Sequence, residues 1–241
     1  VRKLSEIEEQ VDDFVIVLAF AAGYQSLVDK LLDIAERHTL LVPDVPVAGS
    51  GLFTYKYCIE HADEIQQVYD MLADDFSKKV YANIINFKIS GKIHYLMEVT
   101  TPKEDIYRNI IKVTQNETYV DLGAYNGDTI EEVLSFTNGK YVRMYGVEPD
   151  RKNFKKLRKC TADMPYVSIY NAVAWCTDTE VPFSTKAGRQ SAVSALGQSI
   201  EARSVDSILD GRPATIIKMD VEGCEREALW GAAQTIAKYS P

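Results

Sequence analysis

Four stretches of this chain put groups capable of chemistry at the ends of apolar runs. The first is Asp121-Leu122-Gly123-Ala124-Tyr125-Asn126-Gly127-Asp128. An apolar run that passes through a glycine turn into a helix aims backbone N–H groups and the positive end of that helix at a ligand. The glycine spacing restricts which ligand. A dinucleotide site wants G-x-G-x-x-G, whose second glycine lets the backbone approach a pyrophosphate. Tyr125 holds that place here, and the spacing is G-x-x-x-G. The turn suits a nucleoside with an amino-acid tail better than one with a diphosphate. Asp121 is then placed to meet the tail's ammonium, directly or through water, and the helix start near Asp128 to meet its carboxylate. A glycine turn that only packs strand against helix is the plainer alternative.

The second stretch, Val147-Glu148-Pro149-Asp150, ends the next apolar run. Glu148 follows Gly123 by 25 residues, close to the spacing of roughly 20 at which an acid meets ribose hydroxyls in such folds. A carboxylate offers two acceptor oxygens to two vicinal hydroxyl donors. An isolated acid at a strand end reads as surface or helix cap; one β-α unit after the glycine turn, Glu148 reads as a ribose ligand with Pro149 beside it. In the third stretch, Asn171-Ala172-Val173-Ala174, Asn171 or a backbone amide such as that of Ala172 could reach an adenine edge, although asparagine is also a turn former. The fourth, Lys218-Met219-Asp220-Val221-Glu222-Gly223-Cys224-Glu225, sends Asp220 and Glu222 into the place where a transferred group would lie. Glu225 reads as a helix cap. The polar loop 186–199, with Arg189 and Ser191, is the candidate contact for an acceptor.

These groups need elements to hold them. From Glu117 onward, strands alternate with helices, the pattern of a doubly wound, Rossmann-like α/β sheet. Strands are expected over Tyr119–Leu122, Tyr141–Val147, Tyr166–Ala174 and Thr215–Asp220, and helices over Thr129–Phe136, Asn153–Cys160 and Glu225–Lys238. The basic run on the Asn153–Cys160 helix reads as a solvated face, and 181–204 as a polar, irregular stretch or an added hairpin. Upstream, a strand over Phe14–Phe20, a helix over Gln25–His38 and a strand over Leu40–Val42 make one β-α-β unit. A strand apolar on both faces needs parallel neighbours and helices on either side, so this unit is expected to be the remnant of a larger domain. Helices over His61–Asp74, Asp75–Phe87 and Lys103–Lys112 then form a cap or linker. The expected organisation is 1–50 for the partial unit, 51–115 for the helical segment and 116–241 for the ligand-binding domain.

The 241 residues are 46% hydrophobic and 10% aromatic with a net charge of −8, a globular composition that disfavours nucleic acid and anionic membrane as partners. The longest apolar run, Phe14–Ala22, falls well short of a bilayer span. Cys58, Cys160, Cys176 and Cys224 show no paired spacing and read as reduced thiols of a cytoplasmic protein. His38, His61 and His94 lie outside the ligand-binding half, and no metal is expected.

The four stretches together, in this order and with Leu229 and Gly231-Ala232 after them, resemble the FkbM family of S-adenosylmethionine-dependent methyltransferases. The last stretch is the most family-specific. The likeness covers about Glu117 to Lys238, and Pro43-Asp44-Val45-Pro46-Val47 is similar to what precedes the domain in some bacterial members. The resemblance implies methylation of a hydroxyl oxygen on a sugar or other small-molecule or glycan acceptor. It implies Asp121, Gly123 and Asn126 at the tail, with Ala124, Tyr125, Gly127 and Asp128 around it, Glu148 at the ribose, and Asp220 with Glu222 beside the methyl group. The chemistry implied is in-line displacement at the methyl carbon, helped by holding the reactants in contact and by a base for the hydroxyl. A nicotinamide-dependent oxidoreductase and a non-catalytic nucleoside-binding module are the alternatives. The family's sheet continues beyond the helix that ends near Lys238, so this chain is expected to be cut after its fourth core strand, and its start at Val1 suggests the same upstream. An open sheet edge is a liability that a homo-oligomer or the N-terminal unit would cover.

Overall fold

The computed structural model describes residues 2–20, 24–44, 52–184, 192–193, 197–221 and 223–241. The described residues fall into two compact units that divide between Thr101 and Pro102.

The first unit runs α1 (Leu4–Glu8), β1 (Val15–Val17), α2 (Gln25–Arg37), β2 (Thr39–Leu41), α3 (Tyr55–Glu60), α4 (Ala62–Met71), α5 (Asp75–Ser90) and α6 (His94–Met97). β1 and β2 pair in parallel with Val15 opposite Thr39, as a β-α-β unit requires. The apolar run condenses to a three-residue strand, and Val15 and Val17 are each 57% exposed. Helix α5 is bounded by local chemistry. Asp74 accepts the Ser77 N–H at 2.8 Å at its start, and Gly91 ends it with φ +69°, the left-handed turn that glycine enters without a steric cost. The sequence reading missed α3, which Thr54 caps by accepting the Tyr57 N–H.

The second unit opens with α7 (Lys103–Asp105), which passes into a π-helical turn at Ile106–Ile110 where one continuous α-helix was expected. There follow β3 (Thr118–Leu122), α8 (Asp128–Phe136), β4 (Arg143–Val147), α9 (Arg151–Cys160), β5 (Val167–Tyr170), β6 (Val173–Ala174), β7 (Thr179–Ser184), β8 (Ala192–Val193), β9 (Gln198–Arg203), α10 (Val205–Leu209), β10 (Ile216–Met219), α11 (Glu225–Trp230) and α12 (Ala233–Tyr239). The central sheet has the order β10-β3-β4-β5 and is wholly parallel. Every residue of β3 is buried. On one face Val120, Leu122, Tyr145 and Val147 pack with Val205, Leu209 and Ala228, and on the other Tyr119 and Met144 pack with Ile130, Val133 and Leu157. Two covered faces are why these strands read as apolar runs rather than alternating ones.

Two expected elements divide. The run Tyr166–Ala174 is not one strand: β5 ends at Tyr170, and β6 joins a second sheet, β6-β9-β7-β8. Within that sheet β7 and β9 are antiparallel with Val181 opposite Ile200, so the described residues of the polar stretch are largely strand. The expected helix Glu225–Lys238 breaks at Gly231, where a Cβ would stand 2.0 Å from the carbonyl oxygen of Trp175. The Asp206 carboxylate then accepts the Gln234 and Thr235 N–H groups at the start of α12. Among the described residues no helix is long and apolar enough to cross a membrane.

Candidate functional site

The register of the central sheet brings the strand ends level. Met219 is opposite Leu122, Leu122 opposite Val147, and Val147 opposite Tyr170. The next residue of each strand is Asp220, Gly123, Glu148 and Asn171 respectively, so the four stretches emerge side by side at one edge. Ligands of open parallel sheets sit at this carboxyl edge, where strand order reverses direction around β3. A crevice of about 360 Å³ opens there, with Gly123, Tyr125, Asp128, Glu148, Pro149 and Asp220 in its walls.

The turn after β3 is built for close approach. Gly123 has φ +80°, and a Cβ on it would lie 1.9 Å from the carbonyl oxygen of Asp220, so a side chain there would drive β3 and β10 apart. The Gly123 and Ala124 N–H groups both donate to the Val147 carbonyl, at 2.9 and 3.0 Å. Tyr125 takes φ +47°, and the Lys156 ammonium stands 5.7 Å from its ring centroid. Gly127 precedes α8 at φ +95° and packs on Cys160. The first N–H groups of α8 are met by side chains: Asn126 Oδ1 accepts from Asp128 at 3.3 Å, and Asp128 Oδ1 from Thr129 at 3.0 Å.

Glu148 is 5% exposed. Its Oε2 accepts the Tyr125 N–H and its Oε1 the Asp150 N–H, both at 2.8 Å. Burial pushes its pKa up to about 7, against those two N–H donors, with repulsion from Asp150 and Asp121 adding to the rise. Asn171 is committed to this loop: its Nδ2 donates to the carbonyls of Glu148 at 2.8 Å and Pro149 at 2.9 Å. Asp150 caps α9 by accepting the Lys152 and Asn153 N–H groups.

Asp121 has no exposed surface. Thr129 Oγ1 donates to its Oδ2, and the Lys218 ammonium lies 3.1 Å from its Oδ1. That second contact is an ion pair without an aligned hydrogen bond, since Oδ1 has no hydrogen-bond partner among the described residues. The same ammonium donates to the Gly123 carbonyl at 3.0 Å. Burial pushes the Asp121 carboxyl above its ordinary range, with Lys218 and Thr129 opposing.

The structure therefore sorts the expected site residues. Gly123, Tyr125, Asp128, Glu148, Pro149 and Asp220 share the crevice. Asp121, Ala124 and Ala172 are fully buried behind it. Asn126 and Asn171 serve the loops that shape it, and Gly127 sits beneath the turn. Glu222, Arg189 and Ser191 lie outside the described residues. Glu225, expected as a helix cap, instead accepts the Val221 and Gly223 N–H groups of the loop before α11, and the start of that helix has no side-chain cap. Thr129, Phe183 and Lys218 also reach the crevice, and no role was read for them from sequence. Lys218 carried a signal, because a lysine inside the apolar run of a buried parallel strand needs a partner. Phe183 carried none, because its place depends on the second sheet. None of the four cysteines is in a disulfide. No group of three or more His, Cys, Asp or Glu residues able to hold a metal occurs among the described residues.

Comparison with known proteins gives three results. No curated protein matches the chain. A crystal structure of a methyltransferase FkbM from Methylobacillus flagellatus KT superposes with a TM-score of 0.69 at 23% identity, over 98% of this chain and 64% of that one. At that identity the likeness shows a shared α/β fold with a parallel sheet, and this chain spans about two thirds of its neighbour's length. Residues 121–241 match the Methyltransferase FkbM domain. That match begins at Asp121 and takes in the glycine turn, Glu148, Asn171 and Asp220, the groups that the sheet register sets in one row, and on it the chain belongs to the FkbM methyltransferase family.

Proposed function

We propose that the crevice binds S-adenosylmethionine and that the chain methylates a hydroxyl oxygen on a sugar or other small-molecule or glycan acceptor. The observation that carries this reading is Glu148: a carboxylate fixed by one N–H on each oxygen, at the wall of the crevice, one β-α unit after a glycine turn. Each oxygen keeps a lone pair for a hydroxyl donor. The fit extends to size and charge. A crevice of about 360 Å³ lies within the usual range of roughly 300–1,000 Å³ for small-molecule sites. The acids Asp128, Glu148, Asp150 and Asp220 in its walls suit a ligand that carries a sulfonium.

When bound, S-adenosylmethionine supplies a methyl group activated on positively charged sulfur. The chain's own residues bind, orient and deprotonate. Tyr125, in the second-glycine place of a dinucleotide turn, leaves the bend shaped for an amino-acid tail, and this disfavours a nicotinamide cofactor. Asp220, exposed just past β10 in the crevice wall, is our candidate to hold the acceptor hydroxyl and take its proton, with Glu222 as the second candidate; Arg189 and Ser191 are the candidates for acceptor contacts. Holding the reactants together supplies much of the acceleration, and the base a further ~10²–10⁴-fold.

Calorimetric titration with S-adenosylhomocysteine tests this on the parent and on Glu148→Ala. The parent is expected to bind and the variant to lose most of that affinity. Undiminished binding by the variant would move the ligand elsewhere.

A further inference from the structure

We propose that Lys218, rather than the start of α8, receives the carboxylate of the cofactor's amino-acid tail, and that Asp121, instead of meeting the tail's ammonium, is the positioning residue for that lysine. The assignment rests on reading the crevice as an S-adenosylmethionine site.

The buried carboxylate of Asp121 is closed to the ligand. It has no exposed surface, and its oxygens face Thr129 and Lys218. An incoming ammonium would have to displace the lysine first. The start of α8 is also occupied, because Asn126 and Asp128 side chains accept its first N–H groups and Asp128 adds a negative charge there. Lys218 is different. Its ammonium carries three N–H groups, of which one donates to the Gly123 carbonyl and one faces Asp121. The side chain is 26% exposed and lines the crevice, leaving the third N–H for a ligand.

Charge complementarity points the same way. Among the described residues in the crevice wall, Lys218 is the one cation, set among Asp128, Glu148, Asp150 and Asp220. The ligand has a sulfonium, an ammonium and a single carboxylate. Its positive groups match the acids, and Lys218 is the side chain in that wall that offers its carboxylate an opposite charge. The Asp121 contact and the Gly123 carbonyl fix where that ammonium stands, a preorganised arrangement that reduces the ordering cost of binding.

Three nucleosides separate the contacts by calorimetry. S-Adenosylhomocysteine has the whole tail, its decarboxylated analogue keeps only the ammonium, and 5′-methylthioadenosine has neither. Lys218→Met is expected to weaken S-adenosylhomocysteine at least tenfold and to leave the other two within about twofold. The double variant Asp121→Asn/Lys218→Met leaves no buried charge unpaired, so it reads the same contact should the single variant fail to fold. Unchanged S-adenosylhomocysteine affinity overturns the assignment. So does an equal loss for all three nucleosides, which would make the lysine purely structural. A parent that binds none of the three removes the cofactor reading itself.

Discussion

Glu148 Oε2 accepts the backbone N–H of Tyr125 at 2.8 Å, across 23 residues of chain. The acid that ends β4 and the left-handed residue of the glycine turn are thereby one unit. With Oε1 held by Asp150, the carboxylate has its orientation before any ligand arrives. It is neither a surface acid nor a helix cap.

That fixed carboxylate has a cost in protonation. Burial pushes Glu148 up to about 7, and two ribose hydroxyls can both donate only to the ionised form. Between pH 6 and pH 8 the ionised fraction rises about tenfold, so affinity for S-adenosylhomocysteine should rise about tenfold and level off above pH 8. Glu148→Gln should flatten the profile. Calorimetry across this range checks it, and an undiminished slope in the variant would assign the titration to another group.

Folding stability should run the opposite way over the same protons. The folded-state pKa lies above the unfolded one, so the group's contribution is fully present below about pH 4.5 and is lost as pH rises through 7. The span corresponds to about 3 kcal/mol. Urea unfolding of parent and Glu148→Gln at a series of pH values should show the parent losing ground to the variant up to pH 7 and no further. A constant difference would mean that Glu148 titrates normally in the folded chain.

Gly123→Ala tests the close approach of β3 and β10. The new Cβ would meet the Asp220 carbonyl oxygen at 1.9 Å, at φ +80°, and the obstacle is backbone that cannot rotate away. Destabilisation of about 3 kcal/mol or more is expected, measured as a lowered urea midpoint. A change below about 1 kcal/mol would show that the strands separate easily here.

Asn171→Ala separates loop support from ligand contact. It removes the donor to the Glu148 and Pro149 carbonyls, at about 1–3 kcal/mol for acceptors left unmet. Asn171→Asp should not restore stability, since a carboxylate brings no N–H to those carbonyls. Equal thermal stability of parent and Ala variant would return Asn171 to the ligand.

Local signals made the strand-turn-helix at Gly123 and the acid at Glu148 legible, because each depends on neighbouring residues. The levelling of four strand ends was not legible, since parallel register is set by pairings between distant segments. Lys218 and Gly123 are 95 residues apart, and only pairing of β10 with β3 reveals that the lysine answers Asp121. The residue type of Asn171 suits a turn as well as a ligand, and its bonds to the Glu148 and Pro149 carbonyls follow from the break between β5 and β6, which no local signal marks. The apolar run around β1 promised a strand buried on two faces, while Val15 and Val17 remain largely exposed among the described residues. Periodicity reports the pattern of a strand and not what covers it.

Asp220 is the residue whose chemistry can be separated from its position. Its backbone N–H donates to the Leu122 carbonyl at 2.9 Å, extending the β10–β3 ladder by one residue, so the main chain there is held by the sheet. The side chain is exposed in the crevice wall and free to meet an acceptor. Asp220→Asn keeps the shape and a hydrogen-bonding oxygen but cannot take a proton at neutral pH. Turnover should fall about 10²–10³-fold, while affinity for S-adenosylhomocysteine stays within about twofold. Transfer of an isotopically labelled methyl group to a panel of sugar hydroxyls gives the rate, and calorimetry gives the affinity. A variant as fast as the parent would remove Asp220 as the base and leave Glu222 to be tested in its place. A parallel loss of affinity would instead make Asp220 part of the cofactor's own cradle.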